Sequence, residues 1–506
     1  MNFDETIELG KKLTAINIDK ALVLFEKLKA NFSDKKEVLF ELGKIYYIKQ
    51  NYLQAKKNLE LIKKQGNDYH LNLLLSKIYK ALNQGFSALK ILLKLYKSSK
   101  NKEVEKEIVN LFLIKKQDLL AIKFLLKNNR SNTDLNSIIK FQITNISKEV
   151  ANDNFYKVKK EIKKLMNIFK KNTEKNEYLR EKNILLNEYE IGTNQIILKS
   201  KPRNLTVTLT NKCNLKCRMC YVWNHKYEIN NKVIKNIISL FPYIETIVWI
   251  GGEVFLYKNI DKLLILANKY NLRQSISTNG LLLTENIIKK FVSYNLDLTI
   301  SIDSVNKVTY ENIRQGAKFE DLIKIFKLIK KYSINSKLNL AINIVLSKWN
   351  LNENFYNFIP FAKKYNISKI TYSMDVTEEN NNKIIDNFNT KYRKRILDTG
   401  IKENIKIVIT IPQHQVQINK KNDYDSIKKY DRCLRPWKSL FIDIDEYIRP
   451  DCYCNSISRI DKTKNILYLW NSKNFVNFRK KMLKQGTNIC KNICKNNSLD
   501  FQRFKM

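Results

Sequence analysis

No apolar run in this chain approaches the length of about 18 residues that a membrane-spanning helix requires. The residues after Met1 form no apolar signal region, so we expect a cytoplasmic protein, in which disulfides are rare. The three histidines, His70, His225 and His414, lack the paired spacing of metal ligands. These absences argue against a membrane span and against a histidine-based metal centre.

Acidic residues are few relative to basic ones: 49 Asp and Glu oppose 92 Lys and Arg, which gives a net charge of +43. Such a charge ordinarily suggests a nucleic-acid partner or an anionic membrane surface. The lysines, however, are scattered among asparagines and isoleucines, without a basic tail or an aromatic and basic RNA-binding motif. We therefore interpret them as solvated faces and expect no nucleic-acid partner, while attraction to a membrane surface stays open.

Only eight cysteines are present, and they form two groups. The first group, Cys213, Cys217 and Cys220, has the spacing C-x3-C-x2-C, a compact loop that can bring three thiolates to one metal centre. In an iron-sulfur cube, three protein thiolates leave one iron without a side-chain ligand, and a substrate or cofactor can bind there. A structural zinc site is the alternative, but the fourth ligand that zinc requires has no candidate nearby except His225.

The loop and its flanks resemble the radical S-adenosylmethionine (radical SAM) superfamily, in which this loop follows the first strand of a partial barrel, here predicted at residues 205–209. The resemblance implies a [4Fe-4S] cluster held by the three cysteines, with S-adenosylmethionine (SAM) at its open iron. It also implies an oxidoreductase or maturase-type enzyme that reductively cleaves SAM to a 5′-deoxyadenosyl radical and abstracts hydrogen from a substrate.

Further motifs follow in the order that the family requires. An apolar run at residues 244–250 ends at Gly251, Gly252 and Glu253, which by resemblance would hold the amino group of SAM. Taken alone, these three residues are more often an ordinary turn. By the same resemblance, Ser277 and Asn279 would contact the ribose, and Ser301 and Asp303 would line the cofactor pocket. Arg314 would meet the methionine carboxylate. The alternative is that these side chains only cap strands and begin helices.

Strand-like and helix-like stretches alternate through the middle of the chain. Each of six apolar runs is followed by a segment with helical apolar spacing, and the runs begin near Leu205, Ile244, Ser275, Leu298, Leu338 and Ser368. With the family resemblance, these units predict an α/β fold, a partial (β/α)6 barrel over residues 200–425 that is open on one side.

The second cysteine group predicts a small α+β iron-sulfur domain at residues 426–506. Its members are Cys433, Cys452, Cys454, Cys490 and Cys494. Residues 440–454 have the pattern of a β-hairpin, whose return strand would turn Cys452 and Cys454 to the same side. The layout resembles the SPASM or twitch extension of radical SAM enzymes, and five thiols suffice for one auxiliary [4Fe-4S] cluster with one thiol spare. Disulfides are the alternative, which the expected cytoplasmic location disfavours.

Residues 1–130 contain no cysteine and have helical periodicity throughout, which predicts an all-α region. Its repeat consists of alanines spaced 34, 33 and 33 residues apart, each followed four positions later by a larger residue: Ala21, Ala55, Ala88 and Ala121, with Phe25, Leu59, Leu92 and Leu125. This pattern resembles tetratricopeptide (TPR) repeats and implies a solenoid, with irregular helical hairpins as the alternative. Residues 131–199 would form a helical linker and a lead-in hairpin.

The resemblances favour a peptide or protein as the substrate, because a TPR-like array offers a groove for polypeptide. The same chemistry on a sugar or other small metabolite of surface-polymer synthesis stays open, with the repeats serving assembly alone. A protein of another class is the remaining alternative: a TPR scaffold whose iron-sulfur domain transfers electrons or is inactive. The enzyme would need an external electron donor such as flavodoxin or ferredoxin.

Overall fold

Two compact units make up the chain, Met1–Gln142 and Ile143–Met506. The structure, a computed structural model, describes ten stretches of it: residues 2–63, 68–128, 133–174, 176–220, 227–333, 336–375, 382–411, 432–451, 454–460 and 465–490. In these stretches the first unit is entirely helical, as its periodicity predicts. None of the described helices is both long enough and apolar enough to cross a membrane.

The helices of the first unit follow one another in pairs joined by short turns. Their bounds are α1 Phe3–Ile16, α2 Ile18–Asn31, α3 Lys36–Ile48, α4 Tyr52–Lys63, α5 Tyr69–Ala81, α6 Gly85–Ser99, α7 Lys102–Ile114 and α8 Asp118–Asn128. The alanines of the repeat lie on α2, α4, α6 and α8, and all four are wholly buried, as are the larger residues one turn later. Each small side chain therefore lets the neighbouring helix approach, and the larger one fills the remaining space.

The turns after α3, α5 and α7 repeat at the same period. Gln50, Asn83 and Lys116, spaced 33 residues apart, have φ angles of 59°, 57° and 54°. In each turn the next amide donates to a carbonyl five positions earlier, at 2.7–2.8 Å, which closes the helix end. Glycine is the usual residue in this left-handed conformation, and a chain with only 11 glycines uses other residues instead. The repeat thus exists in the backbone, whereas its assignment to the TPR type stays a prediction.

Strands alternate with helices in the second unit. The strands are β1 Asn204–Thr208, β2 Lys216–Cys217, β3 Thr246–Ile250, β4 Arg273–Thr278, β5 Leu296–Ser301, β6 Arg314–Gln315, β7 Asn339–Leu346, β8 Lys369–Met374, β9 Lys406–Ile409, β10 Ser439–Ile442, β11 Tyr447–Arg449 and β12 Ser458–Arg459. The helices that follow α8 are α9 Thr133–Ala151, α10 Phe155–Asn172, α11 Leu179–Gly192, α12 Asn231–Ile238, α13 Ile260–Lys269, α14 Glu285–Phe291, α15 Lys307–Ile313, α16 Phe319–Tyr332, α17 Phe358–Lys364, α18 Asn382–Phe388, α19 Lys394–Lys402, α20 Arg435–Lys438, α21 Ile466–Trp470 and α22 Lys473–Gln485.

Ten of the described strands form one sheet in the order β12-β11-β10-β1-β3-β4-β5-β7-β8-β9. Neighbouring strands from β10 to β9 are parallel. The six predicted strands correspond to β1, β3, β4, β5, β7 and β8 and lie side by side in that order, while their closure into a partial barrel stays a prediction. The sequence did not indicate β9 or the pairing of β10 with β1, which joins Leu205 to Leu440.

Residues 193–199, the part of the predicted lead-in hairpin that follows α11, contain no strand. That prediction is wrong because backbone amides there donate to side chains instead of to a second strand. Lys199 N donates to Glu190 at 2.6 Å, and Leu198 N donates to Asn471 at 2.9 Å. Local sequence does not reveal such partners, since Asn471 lies 273 residues further along the chain.

The C-terminal segment joins the main sheet through a hairpin. β10 and β11 are antiparallel, with Phe441 beside Arg449, as the alternating pattern predicts. Glu446 occupies the turn with a φ of 69°, the left-handed conformation for which glycine is common. On α22, the buried Arg479 donates to the Pro436 carbonyl at 2.8 Å and so connects this helix to α20.

Buried charges join α11 to the segments that precede β1 and β10. The Glu188 carboxylate is paired with Arg203 and, at 2.8 Å, with Lys438. Arg203 is also paired with Glu245, just before β3. Burial alone would raise the pKa of Glu188, but the two cations outweigh it and lower the pKa to about 2. Segments remote in sequence are thereby connected by an ionised group.

Candidate metal and cofactor site

The loop of three cysteines follows β1 and lies against residues 313–315. Its middle cysteine belongs to β2, which pairs antiparallel with β6, so that Cys217 is the register partner of Arg314. The amide of Arg218 continues this contact by donating to the Ile313 carbonyl at 3.0 Å. All three thiols of the loop are half-buried. The ladder therefore fixes the middle of the loop to the segment that follows α15.

The thiols of the loop affect one another electrostatically. Burial raises the pKa of Cys217 to about 11, against the opposing charge of Arg314, and Cys220 and Cys213 add to the increase. Within the described residues, no three Cys, His, Asp or Glu side chains are arranged as a closed metal site. Thiol ligands must be deprotonated, so iron binding here would release protons.

Gly251 and Gly252 lie between the end of β3 and the start of the cysteine loop. A Cβ on Gly251 would overlap the carbonyl oxygen of Thr210, and a Cβ on Gly252 would overlap that of Lys212. Two short hydrogen bonds cross the same contact, from Gly252 N to Thr210 O at 2.6 Å and from Glu253 N to Lys212 O at 2.7 Å. The two glycines are therefore required for packing of the chain's own backbone, whatever ligand binds nearby.

The carboxylate of Glu253 is wholly buried and accepts hydrogen bonds from three groups of the chain. Its donors are Thr278 Oγ1 at 2.8 Å, the amide of Asn279 at 2.8 Å and the amide of Phe255 at 3.3 Å. Burial raises the pKa of Glu253 in spite of these hydrogen bonds. In this structure Glu253 connects the ends of β3 and β4, and its contact with the amino group of SAM stays a prediction.

The ends of β4 and β5 carry further predicted site residues. Asn279 donates from its side-chain amide to Asn214 of the cysteine loop at 2.8 Å. Asp303 is wholly buried and forms an ion pair with Arg314 at 2.8 Å, while Arg314 Nη1 lies 3.9 Å from Cys217 Sγ. These contacts connect the cysteine loop to β4, β5 and β6.

Ser277 and Ser301 lie on a half-buried face of the sheet, whose opposite face is buried and mostly apolar. Six of the small polar residues of this face, on β4, β5, β7 and β8, are Ser277, Thr299, Ser301, Asn343, Thr371 and Ser373, and we call them the polar face. The strand register places Ser301 beside Asn343, and Asn343 beside Thr371. A parallel sheet covered on both sides is normally apolar on both, so this surface is suited to a polar ligand.

Two buried polar atoms beside Asp303 have no hydrogen-bond partner among the described residues. They are Arg314 Nε and the hydroxyl of Tyr310, a wholly buried residue one helical turn earlier on α15. Burial raises the pKa of Tyr310 to about 12, so the hydroxyl keeps its proton as a donor. Unpaired buried donors are costly, and a bound anionic group would satisfy them. Together with three half-buried thiols, these donors fit an iron-sulfur cluster that carries SAM.

Three of the five C-terminal cysteines, Cys433, Cys454 and Cys490, belong to the described residues and are half-buried. Cys452 and Cys494 lie outside the described residues, as does His225. The alignment of Cys452 with Cys454 and the auxiliary iron-sulfur cluster therefore stay predictions.

Sequence reasoning missed the residues that support the predicted ones. Asn350 donates to the carbonyls of Asp303 and Val345, each at 2.9 Å, and so fixes the ends of β5 and β7. Arg218 lies 4.6 Å from the ring centre of Trp349. These partners have no local signal. The polar face did have a local sequence signal, since Asn343, Thr371 and Ser373 interrupt apolar strands at alternate positions.

Residues 207–359 match the Radical SAM superfamily, and this part of the chain is a radical SAM domain. The GTP 3′,8-cyclase of Clostridium botulinum strain Hall is 30% identical over 176 residues, which are 32% of this chain and 54% of that protein. The antilisterial bacteriocin subtilosin biosynthesis protein AlbA of Bacillus subtilis is 27% identical over 149 residues, which are 28% of this chain and 33% of that protein.

The crystal structure of Streptococcus suis SuiB is similar to 72% of this chain and 83% of its own, with a TM-score of 0.48 and 16% identity. The chain spans about half the length of the Clostridium relative, 54% of it. Homologues of the radical SAM domain are enzymes.

Proposed function

We propose that this chain is a radical SAM enzyme that abstracts hydrogen from a peptide or protein substrate. The observation that carries the proposal is the three-thiol loop held against the buried Asp303 and Arg314 pair at the ends of parallel strands. When bound, a [4Fe-4S] cluster with SAM at its open iron supplies a 5′-deoxyadenosyl radical. Cys213, Cys217 and Cys220 would hold the cluster.

The proposed SAM contacts are Gly251, Gly252, Glu253, Ser277, Asn279, Ser301, Asp303 and Arg314. The buried donors of Tyr310 and Arg314 would bind an anionic group, and the hydroxyls of Ser277 and Ser301 would bind neutral polar atoms. Rigid strand ends orient such groups more precisely than loops do, because their backbones are fixed by neighbours on both sides. Exclusion of water by the surrounding sheet and helices would protect the reactive species.

The polar face supports a neutral, hydrogen-bonding substrate. Its six side chains are five hydroxyls and one amide, which pair well with peptide amides. A nucleoside triphosphate normally requires Arg, Lys or a helix N-terminus at its phosphates. The named role of the AlbA relative in bacteriocin biosynthesis also supports a peptide substrate.

The proposal includes four further elements that the sequence suggested. The 33-residue repeat of the first unit would be a TPR-like solenoid that binds polypeptide, and the sheet would curve into a partial (β/α)6 barrel. The C-terminal cysteines would hold one auxiliary iron-sulfur cluster of the SPASM or twitch type. Electrons would come from an external donor such as flavodoxin or ferredoxin. A sugar or other small metabolite as substrate, with the repeats serving assembly, is the alternative within the same chemistry.

Anaerobic reconstitution of the full chain with iron and sulfide, followed by dithionite and SAM, tests the chemistry. We expect 5′-deoxyadenosine from the native protein and none from Cys217→Ser. Met219→Leu, a volume-conserving change inside the same loop, is the matched control and should keep both iron and product. A fully loaded native protein that forms no 5′-deoxyadenosine would instead support an electron-transfer or inactive scaffold.

A second experiment tests the substrate class. We expect added GTP to leave the rate of 5′-deoxyadenosine formation unchanged. A pool of synthetic peptides should raise this rate, and deuterium from carbon-deuterated peptides should appear in the 5′-deoxyadenosine. Stimulation by GTP, or by sugar nucleotides alone, would contradict the peptide assignment while leaving the radical chemistry in place.

A further inference from the structure

We infer that Arg314, held in place by Asp303, raises the reduction potential of the iron-sulfur cluster through its contact with Cys217. The inference rests on the proposed function, since it requires a cluster on the three thiols. It assigns to Arg314 a positioning and electrostatic role that differs from its predicted contact with the methionine carboxylate.

The geometry restricts Arg314 to this position. Its backbone pairs with that of Cys217 across the β2 and β6 ladder, and its side chain is 7% exposed. One end of the guanidinium, Nη2, binds Asp303 at 2.8 Å, and the other, Nη1, lies 3.9 Å from Cys217 Sγ. Two independent contacts thus direct the positive group at the sulfur atom.

Asp303 is itself immobilised. Its Oδ1 accepts a hydrogen bond from the Val345 amide at 2.9 Å, and its carbonyl accepts one from Asn350 at 2.9 Å. The carboxylate is wholly buried, so little water competes for the guanidinium. Asp303 therefore holds Arg314 at a fixed distance from the loop, and its negative charge also offsets part of the positive charge that the sulfur experiences.

The sign of the effect follows from the charges. Arg314 remains protonated at any ordinary pH, and a donor to a thiolate sulfur stabilises the more negative, reduced form of an iron-sulfur cluster. Removal of the cation should make reduction harder. Asp303→Asn keeps one side-chain oxygen that can accept from the guanidinium, so Arg314 stays near the sulfur while the compensating negative charge is lost, and reduction should become easier. A merely structural role would not produce shifts of opposite sign.

The test is a dithionite titration of the full-length, reconstituted protein without SAM, monitored by electron paramagnetic resonance. For Arg314→Gln we expect the reduction equilibrium to fall at least tenfold, which is about 59 mV for a one-electron couple. Asp303→Asn should shift it in the opposite direction. Lys216→Gln removes an equal charge next to Cys217 but from an exposed side chain, and should change the equilibrium less than threefold.

Arg314→Lys keeps the positive charge. It therefore provides a second test of the charge if Arg314→Gln fails to fold. We expect it to retain the larger part of the native potential. Shifts of the same sign in Arg314→Gln and Asp303→Asn, or shifts no larger than that of Lys216→Gln, would overturn the inference. So would an unchanged potential combined with weakened SAM binding in Arg314→Gln, which would support the carboxylate contact instead. Failure of the native protein to bind iron at the loop would refute the proposed function itself, and the inference with it.

Discussion

Substitution of Gly252 by alanine should displace the cysteine loop before any ligand binds. The added Cβ would overlap the carbonyl oxygen of Lys212 and lie 2.8 Å from that of Asn211. Both are backbone atoms that cannot rotate away, so the loop itself must move. Overpacking of this type costs about 1–3 kcal/mol, and each hydrogen bond that crosses the contact contributes about 1 kcal/mol. We therefore expect a loss of about 2–5 kcal/mol in the stability of the second unit.

Tryptophan fluorescence during urea denaturation measures this loss specifically. All five tryptophans, Trp223, Trp249, Trp349, Trp437 and Trp470, follow residue 142, so the signal reports the second unit alone. The amount of iron and sulfide bound per chain after reconstitution gives the second readout. In Gly252→Ala, both the stability and the bound iron and sulfide should be lower than in the native protein, even when SAM is absent.

Gly85→Ala is the matched control for the added methyl group. There the Cβ would meet only the flexible end of Lys115, in the first unit, so cluster loading and the fluorescence transition should not change. Native iron content in Gly252→Ala, with its stability within about 0.5 kcal/mol of the native protein, would refute the packing argument. It would leave the family-based prediction, a glycine needed only for contact with SAM, as the explanation.

Three further changes have expected outcomes. Glu188→Gln should destabilise the second unit by about 3–5 kcal/mol, because it leaves Lys438 buried without its ion-pair partner and Arg203 paired with Glu245 alone; a loss below about 1 kcal/mol, as for an exposed ion pair, would contradict this. Since the pKa of Glu188 is lowered from 4.5 to about 2, its stabilisation is complete above pH 4.5 and is lost as the pH falls towards 2, a slope that denaturation at several pH values should show and that the glutamine variant should lack. Arg479→Leu should lower the stability of the same unit by about 1.5–3 kcal/mol through its lost hydrogen bonds, and an unchanged fluorescence transition would argue against that. Ala55→Leu should overpack the first unit at a cost of about 1–3 kcal/mol, measured by circular dichroism, and a neutral result would show that the helix pair can separate.

Local periodicity predicted six of the strands that carry the site. Each appears as a short apolar run followed by a segment with helical spacing, whereas the polar site residues at the strand ends came from the family resemblance, and β2 and β6 were not predicted. The alanine repeat likewise predicted buried positions on every second helix. The cysteine spacing placed three thiols in one loop, since three to four residues cannot separate them far.

Only the tertiary structure decided how these parts are connected. Nothing near β1 indicates that Leu440 is its partner, that Glu188 will lie between Arg203 and Lys438, or that the lead-in is irregular. Nor does the motif of Gly251 and Gly252 show that the chain's own backbone occupies the space that a Cβ on either glycine would need. The sequence by itself determined the six central strands, the helices of the first unit and the thiol loop, because those depend on neighbours within a few positions. The contact of Arg314 with Cys217 and the hydrogen bond from Thr278 to Glu253 depend on packing between segments far apart in the chain. Local sequence patterns do not encode such packing.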